Sequence, residues 1–234
     1  MNALLIVGTD VAVGKTVVMS ALAAYWHTYR HPETLGLMQP VAVSDRDRTT
    51  YTTLFHPYQS PEEITPEVIS TTLPLPVELA QQGRSLAFDR IWRQFQILTA
   101  QREWVLLEGL GSLGTPLTSD TVMADLAWDW RLPTLLVVPV QAGAIAQAIA
   151  QVALARQMRV HLKGIVLNCT QPYTVDEVNA LVPDRILRSL AHVPILGCMP
   201  YLDDPTNLSR LAQAASDLDL EQIMPLSSRF PFSA

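Results

Sequence analysis

Basic charge is scarce in this chain of 234 residues: 16 Lys and Arg stand against 22 Asp and Glu, a formal net charge of −6. Without a basic stripe, a nucleic-acid partner is not expected. Cysteine is scarcer still. The two present, Cys169 and Cys198, lie far apart along the chain and lack metal-ligand spacing, and the five histidines form no H-x-x-H cluster. Both facts fit a reduced cytoplasmic protein without structural zinc. The pattern of a secretory leader is also missing: the apolar run Leu4 to Val7 is too short for a signal-peptide core, and no basic segment precedes it. Leu132 to Ala155 carries no formal charge and is long enough to cross a bilayer. However, Pro133, Pro139, Gln141, Gln147 and Gln151 interrupt it. Thr134 to Val138 is β-rich, while Ile145 to Arg156 is Ala-rich with helical spacing. A buried strand followed by a helix accounts for both halves, so no membrane partner is expected.

What the chain does have is apolar residues, 49% of the total, enough for a sizeable core. No internal repeat, low-complexity block or interdomain linker interrupts it, so the expectation is one domain over residues 1–234. Strand-like runs alternate with helix-like ones: Leu4–Val7, Thr34–Met38, Trp104–Leu107, Thr134–Val138, Gly164–Leu167 and a short run near Ile195–Gly197. Continuous apolar strands of this kind predict an α/β fold, a mostly parallel sheet covered by helices on both faces. Ligands of such sheets collect at the carboxyl ends of the strands. The polar, Pro-containing segment 44–76 is expected to form an excursion over that active face. Thr206 is the expected N-cap of a last helix with Leu208, Leu211, Ala212, Ala215 and Leu218 on one side, and the tail 225–234 is expected to pack loosely.

The most specific pattern is Gly8-Thr9-Asp10-Val11-Ala12-Val13-Gly14-Lys15-Thr16, between the Leu4–Val7 run and a helical stretch that starts at Val17. Strand, Gly-containing loop, Gly-Lys-Thr and helix make a phosphate-binding loop. A helix N-terminus offers unpaired N–H groups and partial positive charge to a nucleotide's phosphates. Lys15 then reaches the β/γ-phosphates and Thr16 a Mg²⁺ ion. The standard spacing puts a small residue five positions before Gly14; here the first Gly is at position 8, so the loop is one residue longer. After the third strand comes Glu108-Gly109-Leu110-Gly111-Ser112, where Glu108 is placed to hold Mg²⁺ and the glycines admit phosphate close to the backbone. Asp10, inside the loop, either joins the Mg²⁺ shell or accepts from neighbouring N–H groups.

These residues resemble the dethiobiotin synthetase family. Gly8 to Thr16 is similar to its GTDTxVGKT loop, extra residue included, and Glu108 to Ser112 to its EGAGG loop. Gly36-Leu37-Met38-Gln39-Pro40-Val41 is similar to G-x-x-K-P-V, and Gly164 to Asn168 to the strand that ends in an adenine-reading Asn. Pro194 to Pro200 is similar to P-x-x-G-x-x-P. The resemblance spans nearly the whole chain. It implies ATP- and Mg²⁺-dependent carboxylation of 7,8-diaminopelargonate with CO₂ or bicarbonate, then ring closure through a carbamate and its phosphoric anhydride. It also implies a homodimer.

Residue by residue, the resemblance puts Asp10, Val11, Ala12, Val13, Gly14, Lys15, Thr16 and Val17 on the nucleotide, with Asn168 and Pro200 at the adenine. It puts Thr16, Glu108 and an acidic residue of the excursion, Asp47 being the candidate, on Mg²⁺. It puts Glu108, Gly109, Gly111, Gly143, Ala144 and Ile145 at the substrate, and Lys15, Thr16 and Gln39 at the reacting groups. Four positions depart from the family pattern. Gln39 replaces a lysine beside the carbamate, Val43 a serine, Val11 a threonine, and Ala146 an asparagine that faces the substrate carboxylate. Arg46 and Arg48 either compensate for the missing cation or are solvated loop charges. The departures also admit a nucleotide-binding relative with lost or altered ligase activity. A ParA/MinD-like partitioning ATPase is disfavoured, because Thr9-Asp10-Val11 offers no second lysine early in the loop.

Overall fold

The computed structural model describes residues 2–44, 46–55 and 58–224, without the side chains of Arg46 and Asp47. Asp47 as metal candidate, Arg46 as cation candidate and the 225–234 tail therefore lie outside what is described. The chain opens β1 (Ala3–Gly8), α1 (Lys15–Tyr29), β2 (Leu35–Met38), α2 (Arg46–Phe55), α3 (Pro61–Ile64), α4 (Leu75–Gln81), α5 (Phe88–Gln101) and β3 (Trp104–Ser112). It continues through α6 (Met123–Asp129), β4 (Thr134–Pro139), α7 (Ala144–Gln157), β5 (Leu162–Asn168), α8 (Val175–Leu181) and α9 (Asp184–Ala191). It closes with β6 (Ile195–Met199), α10 (Leu208–Ser216) and α11 (Leu220–Ile223).

The strands form one sheet in the order β2-β3-β1-β4-β5-β6, and every pairing is parallel. Strand alternation explains how one sheet supports two cores. Ala3, Leu5 and Val7 of β1 pack with Ile91, Phe95 and Leu98 of α5 and with Ala144, Ala148, Val152 and Ala155 of α7. Leu4 and Ile6 face the other way, onto Val18, Met19, Leu22 and Trp26 of α1 and Leu211 and Ala215 of α10. Burying one such aliphatic side chain contributes about 1.5–3 kcal/mol, so β1, buried throughout, is anchored from both faces.

The edge strand β2 is covered by the segment that follows it. The Gln59 amide accepts from the Leu37 N–H at 2.6 Å and donates to the Leu37 carbonyl at 3.1 Å, mimicking a further strand. The chain then returns alongside residues 39–43: the Gln39 N–H donates to Ile64, and Ala42 pairs with Val68.

Four local expectations change. The third strand does not stop at Leu107; β3 runs to Ser112, with Ile6 opposite Glu108 and Gly8 opposite Ser112 across a register shift. Glu108 and the two glycines read as loop signals. Yet Glu108 is 2% exposed, and hydroxyl donors satisfy its carboxylate, so the backbone stays in the ladder. Thr34 closes a 3₁₀ turn rather than opening β2, its hydroxyl donating to the His31 carbonyl. Asn207, not Thr206, caps α10: its side chain accepts from the Arg210 N–H, while Asp204 captures both the hydroxyl and the N–H of Thr206. Leu208, expected on the apolar side of that helix, is exposed.

Cys169 and Cys198, distant in sequence, meet through the β5–β6 pairing with Sγ atoms 3.8 Å apart. Both are free thiols. Burial raises both above the ordinary thiol range, Cys198 to about 12 with further help from Cys169, so neither is a nucleophile at neutral pH. Among the described residues, no helix is long and apolar enough to cross a membrane; Leu132 to Ala155 is divided between β4 and α7.

Candidate active site

The sheet order creates a switch point at β1. From there the chain crosses first to β2 and β3 on one side, then to β4 on the other, and the crevice between the diverging connections opens above the carboxyl end of β1. The loop of residues 8–16 occupies that position. Gly14 caps α1 in the left-handed region, φ +93°, with no side chain on the first turn. The first-turn N–H groups therefore face outward without an intrahelical acceptor, ready for an anion. Ala12 is also left-handed, φ +55°. Val13 points down into the core, where its carbonyl accepts from Asn168 Nδ2 at 3.0 Å.

A cavity of about 420 Å³ opens over this loop. Val11, Ala12, Gly14, Lys15, Thr16 and Val17 form one side; Gln39, Glu108, Gly109 and Gly111 form the other. Lys15 is nearly buried, and its Nζ donates to the Asp10 carbonyl at 3.1 Å, which holds the ammonium over the loop. Thr16 Oγ1 donates to Glu108 Oε1 at 3.0 Å across 92 residues of sequence. Gln39 is 3% exposed, and it brings a neutral amide to the wall where the resemblance places a cation.

The donor set here is oxygen throughout: the Thr16 hydroxyl, the Glu108 carboxylate and the Ser20 hydroxyl one helical turn further on. Ser20 Oγ is buried and has no hydrogen-bond partner among the described residues. Hard oxygen donors suit Mg²⁺. No group of three or more His, Cys, Asp or Glu stands together among the described residues. A cation in this place completes its shell with phosphate and water, as Mg²⁺ ordinarily does.

Other residues singled out from sequence stand elsewhere. Asp10 is exposed, and its Oδ1 accepts from the Val11 N–H at 2.7 Å. Asn168 is 3% exposed beneath the loop, and Pro200 follows β6 at the same sheet edge, one position past the Asn168–Met199 pair. Gly143, Ala144 and Ile145 lie outside the cavity at the start of α7; Ala144 is fully buried, and Gly143 is exposed. Arg48 lines a separate groove with Arg90 and Arg93.

One neighbour was not legible in the sequence. Tyr51 of α2 is completely buried, and its hydroxyl donates to Glu108 Oε2. Thr50, beside it, lines the cavity. No spacing or motif in α2 announces either contact.

Residues 2–209 match a family model described as an AAA domain. Over 226 residues the chain is 46% identical to the ATP-dependent dethiobiotin synthetase BioD of Gloeothece citriformis, covering 97% of this chain and all of that one. The chain belongs to the dethiobiotin synthetase family. Members from Crocosphaera subtropica and a Synechocystis species are 44% and 42% identical over 95% and 94% of this chain, covering 100% and 94% of theirs. In fold, the chain is similar to a ParA family ATPase from Chlorobium tepidum, with TM-score 0.56 and 10% identity over 95% of this chain and 96% of that one. The MinC:MinD complex of Aquifex aeolicus gives TM-score 0.56 at 12% identity, covering 95% of this chain and 94% of that one. The chain thus shares its overall fold with these two structures.

Proposed function

We propose that this chain is an ATP-dependent dethiobiotin synthetase that carboxylates 7,8-diaminopelargonate and closes its ureido ring. The observation that carries the proposal is the Thr16–Glu108 hydrogen bond beside Lys15, inside a chain aligned end to end with named dethiobiotin synthetases. The chemistry runs in three steps. One substrate amine attacks CO₂ and sheds a proton, giving a carbamate. A carbamate oxygen attacks the γ-phosphorus, and ADP departs. The second amine attacks the carbamoyl carbon and sheds a proton, and phosphate leaves as the ring closes. Positioning and charge neutralisation are the protein's main work in such a sequence.

The loop N–H groups and Lys15 support binding of the triphosphate. Thr16 and Glu108 would hold Mg²⁺, which neutralises charge on the phosphates. Glu108 also lines the cavity beside Gly109 and Gly111, where the substrate is proposed to bind. Asn168 has a buried Oδ1 with no partner among the described residues, which suits an adenine amino group if the loop shifts on binding. Purified protein incubated with diaminopelargonate, bicarbonate and Mg-ATP is expected to release dethiobiotin, read by mass spectrometry. ATP binding without dethiobiotin would overturn the assignment.

Gln39 sets the rate in this reading. A hydrogen bond to a charged group contributes about 1.5–3 kcal/mol, and about 1.4 kcal/mol is tenfold in rate. Gln39→Lys is therefore expected to raise kcat by roughly tenfold. An unchanged kcat would show that the neutral side chain is not limiting.

The proposal extends to a cytoplasmic homodimer, with Gly143, Ala144 and Ile145 of one protomer completing the other's substrate site. What supports this is that these residues stand outside the cavity formed within one chain. Light scattering is expected to give twice the 25.9 kDa chain mass; a monomer that turns over at full rate would refute it.

A further inference from the structure

We propose that Tyr51 is a positioning residue of this site, whose hydroxyl fixes the Glu108 carboxylate for the divalent cation. The inference rests on the reading of Glu108 as a Mg²⁺ ligand and adds a residue outside the phosphate-binding loop.

The geometry is specific. Glu108 is carried by β3, and two other elements claim its two carboxylate oxygens. Thr16 of α1 donates to Oε1 at 3.0 Å, and Tyr51 of α2 donates to Oε2. The terminal torsion of a glutamate is soft and broad, so a carboxylate held at one oxygen still swivels. Held at both, it presents its remaining lone pairs in one orientation. Tyr51 is suited to this task because its ring is fully buried, in the core cluster that also holds Leu37, Phe55 and Ile64. Its packed ring makes the hydroxyl a preorganised donor. Hydrogen bonds of this outer kind commonly change metal affinity by about 10–100-fold when removed.

The chemical identity of the residue matters. Among the described side chains, Tyr51 brings a neutral phenol to Glu108. A second carboxylate there would repel Glu108 before any cation arrived and would raise its affinity for protons. A phenol orients Glu108 without that repulsion. Because Thr50 of the same helix lines the cavity, the contact also ties α2 to the nucleotide end of the site.

Tyr51→Phe removes the hydroxyl and keeps the ring. Calorimetric titration of a non-hydrolysable ATP analogue at graded Mg²⁺ gives the cation's contribution to binding without any turnover. The Mg²⁺ concentration for half-maximal effect is expected to rise about tenfold in Tyr51→Phe, with Mg²⁺-free nucleotide binding unchanged. In a Glu108→Gln background the same substitution is expected to change the Mg²⁺ dependence no further, since the hydroxyl acts through that carboxylate. Tyr51→Leu, which also removes the ring, separates packing from positioning by thermal melting. A purely structural role predicts Mg²⁺ dependence like the wild type in Tyr51→Phe, and that result overturns the proposal. An equal loss in the Glu108→Gln background overturns it too. A wild-type protein whose nucleotide binding ignores Mg²⁺ refutes the magnesium reading itself, a result distinct from a Mg²⁺-dependent wild type with an unaltered Tyr51→Phe.

Discussion

Lys15→Ala is expected to lower kcat/KM for dethiobiotin formation by about a thousandfold or more while leaving the fold intact. One preorganised donor to a developing negative charge is worth about 10²–10³ in rate, and Lys15 supplies a full charge. Its ammonium already lies over the loop, donating to the Asp10 carbonyl. Removing it frees the Asp10 carbonyl at the mouth of an open cavity and leaves the strands untouched. The chain has two lysines, and the other, Lys163, lines a groove with Asn2 and Pro133 at the amino ends of the strands, the far side of the sheet. Gln39 is neutral, which leaves Lys15 a larger share of the charge than in relatives with the lysine. Lys15→Arg is expected to rescue poorly, because a planar guanidinium is not a compact point charge. Product mass spectrometry with a parallel ATP-binding titration checks this. Activity above a tenth of wild type in Lys15→Ala would remove Lys15 from the proposed chemistry.

Gly14→Ala is expected to destabilise the protein and to lose nucleotide binding at once. A Cβ at Gly14 would sit 2.0 Å from Asn168 Nδ2 and 2.9 Å from its Cγ, and the backbone there has φ +93°. The left-handed backbone costs about 1–2 kcal/mol for a residue with a Cβ. Forcing a side chain into occupied space costs about 1–3 kcal/mol more. Asn168 has nowhere to go: it is short, 3% exposed and bonded to the Val13 carbonyl. For a chain of this size the sum corresponds to a fall in Tm on the order of 10 °C. Thermal melting measures it. Gly14→Ala in an Asn168→Ala background should recover the steric part of the loss but not the backbone part. A Tm within a degree or two of wild type in the single variant would mean that the loop tolerates the displacement.

How much of this was legible in the sequence follows from the range of each interaction. The loop of residues 8–16 is a local object. Its glycine, lysine and threonine act on one phosphate-binding turn, so adjacency in sequence is adjacency in space. The strands were legible as well, because a strand buried on both faces must be a continuous apolar run, and β1, β4 and β5 are such runs. Glu108 was found as a residue but misread as a loop residue, since local pattern treats a charge flanked by glycine as the end of a strand. Hydroxyl donors that arrive from α1 and α2 help to satisfy it in its buried place.

The sequence alone therefore determined the fold class, the phosphate-binding loop and the family resemblance, all of which are written in short-range pattern. Only the tertiary structure decided that Asn168 lies under Gly14, that Cys169 meets Cys198, and that Tyr51 holds Glu108. Each of these depends on which strand neighbours which, on the order β2-β3-β1-β4-β5-β6. Hydrophobic periodicity states that a face is buried; it does not state what it is buried against.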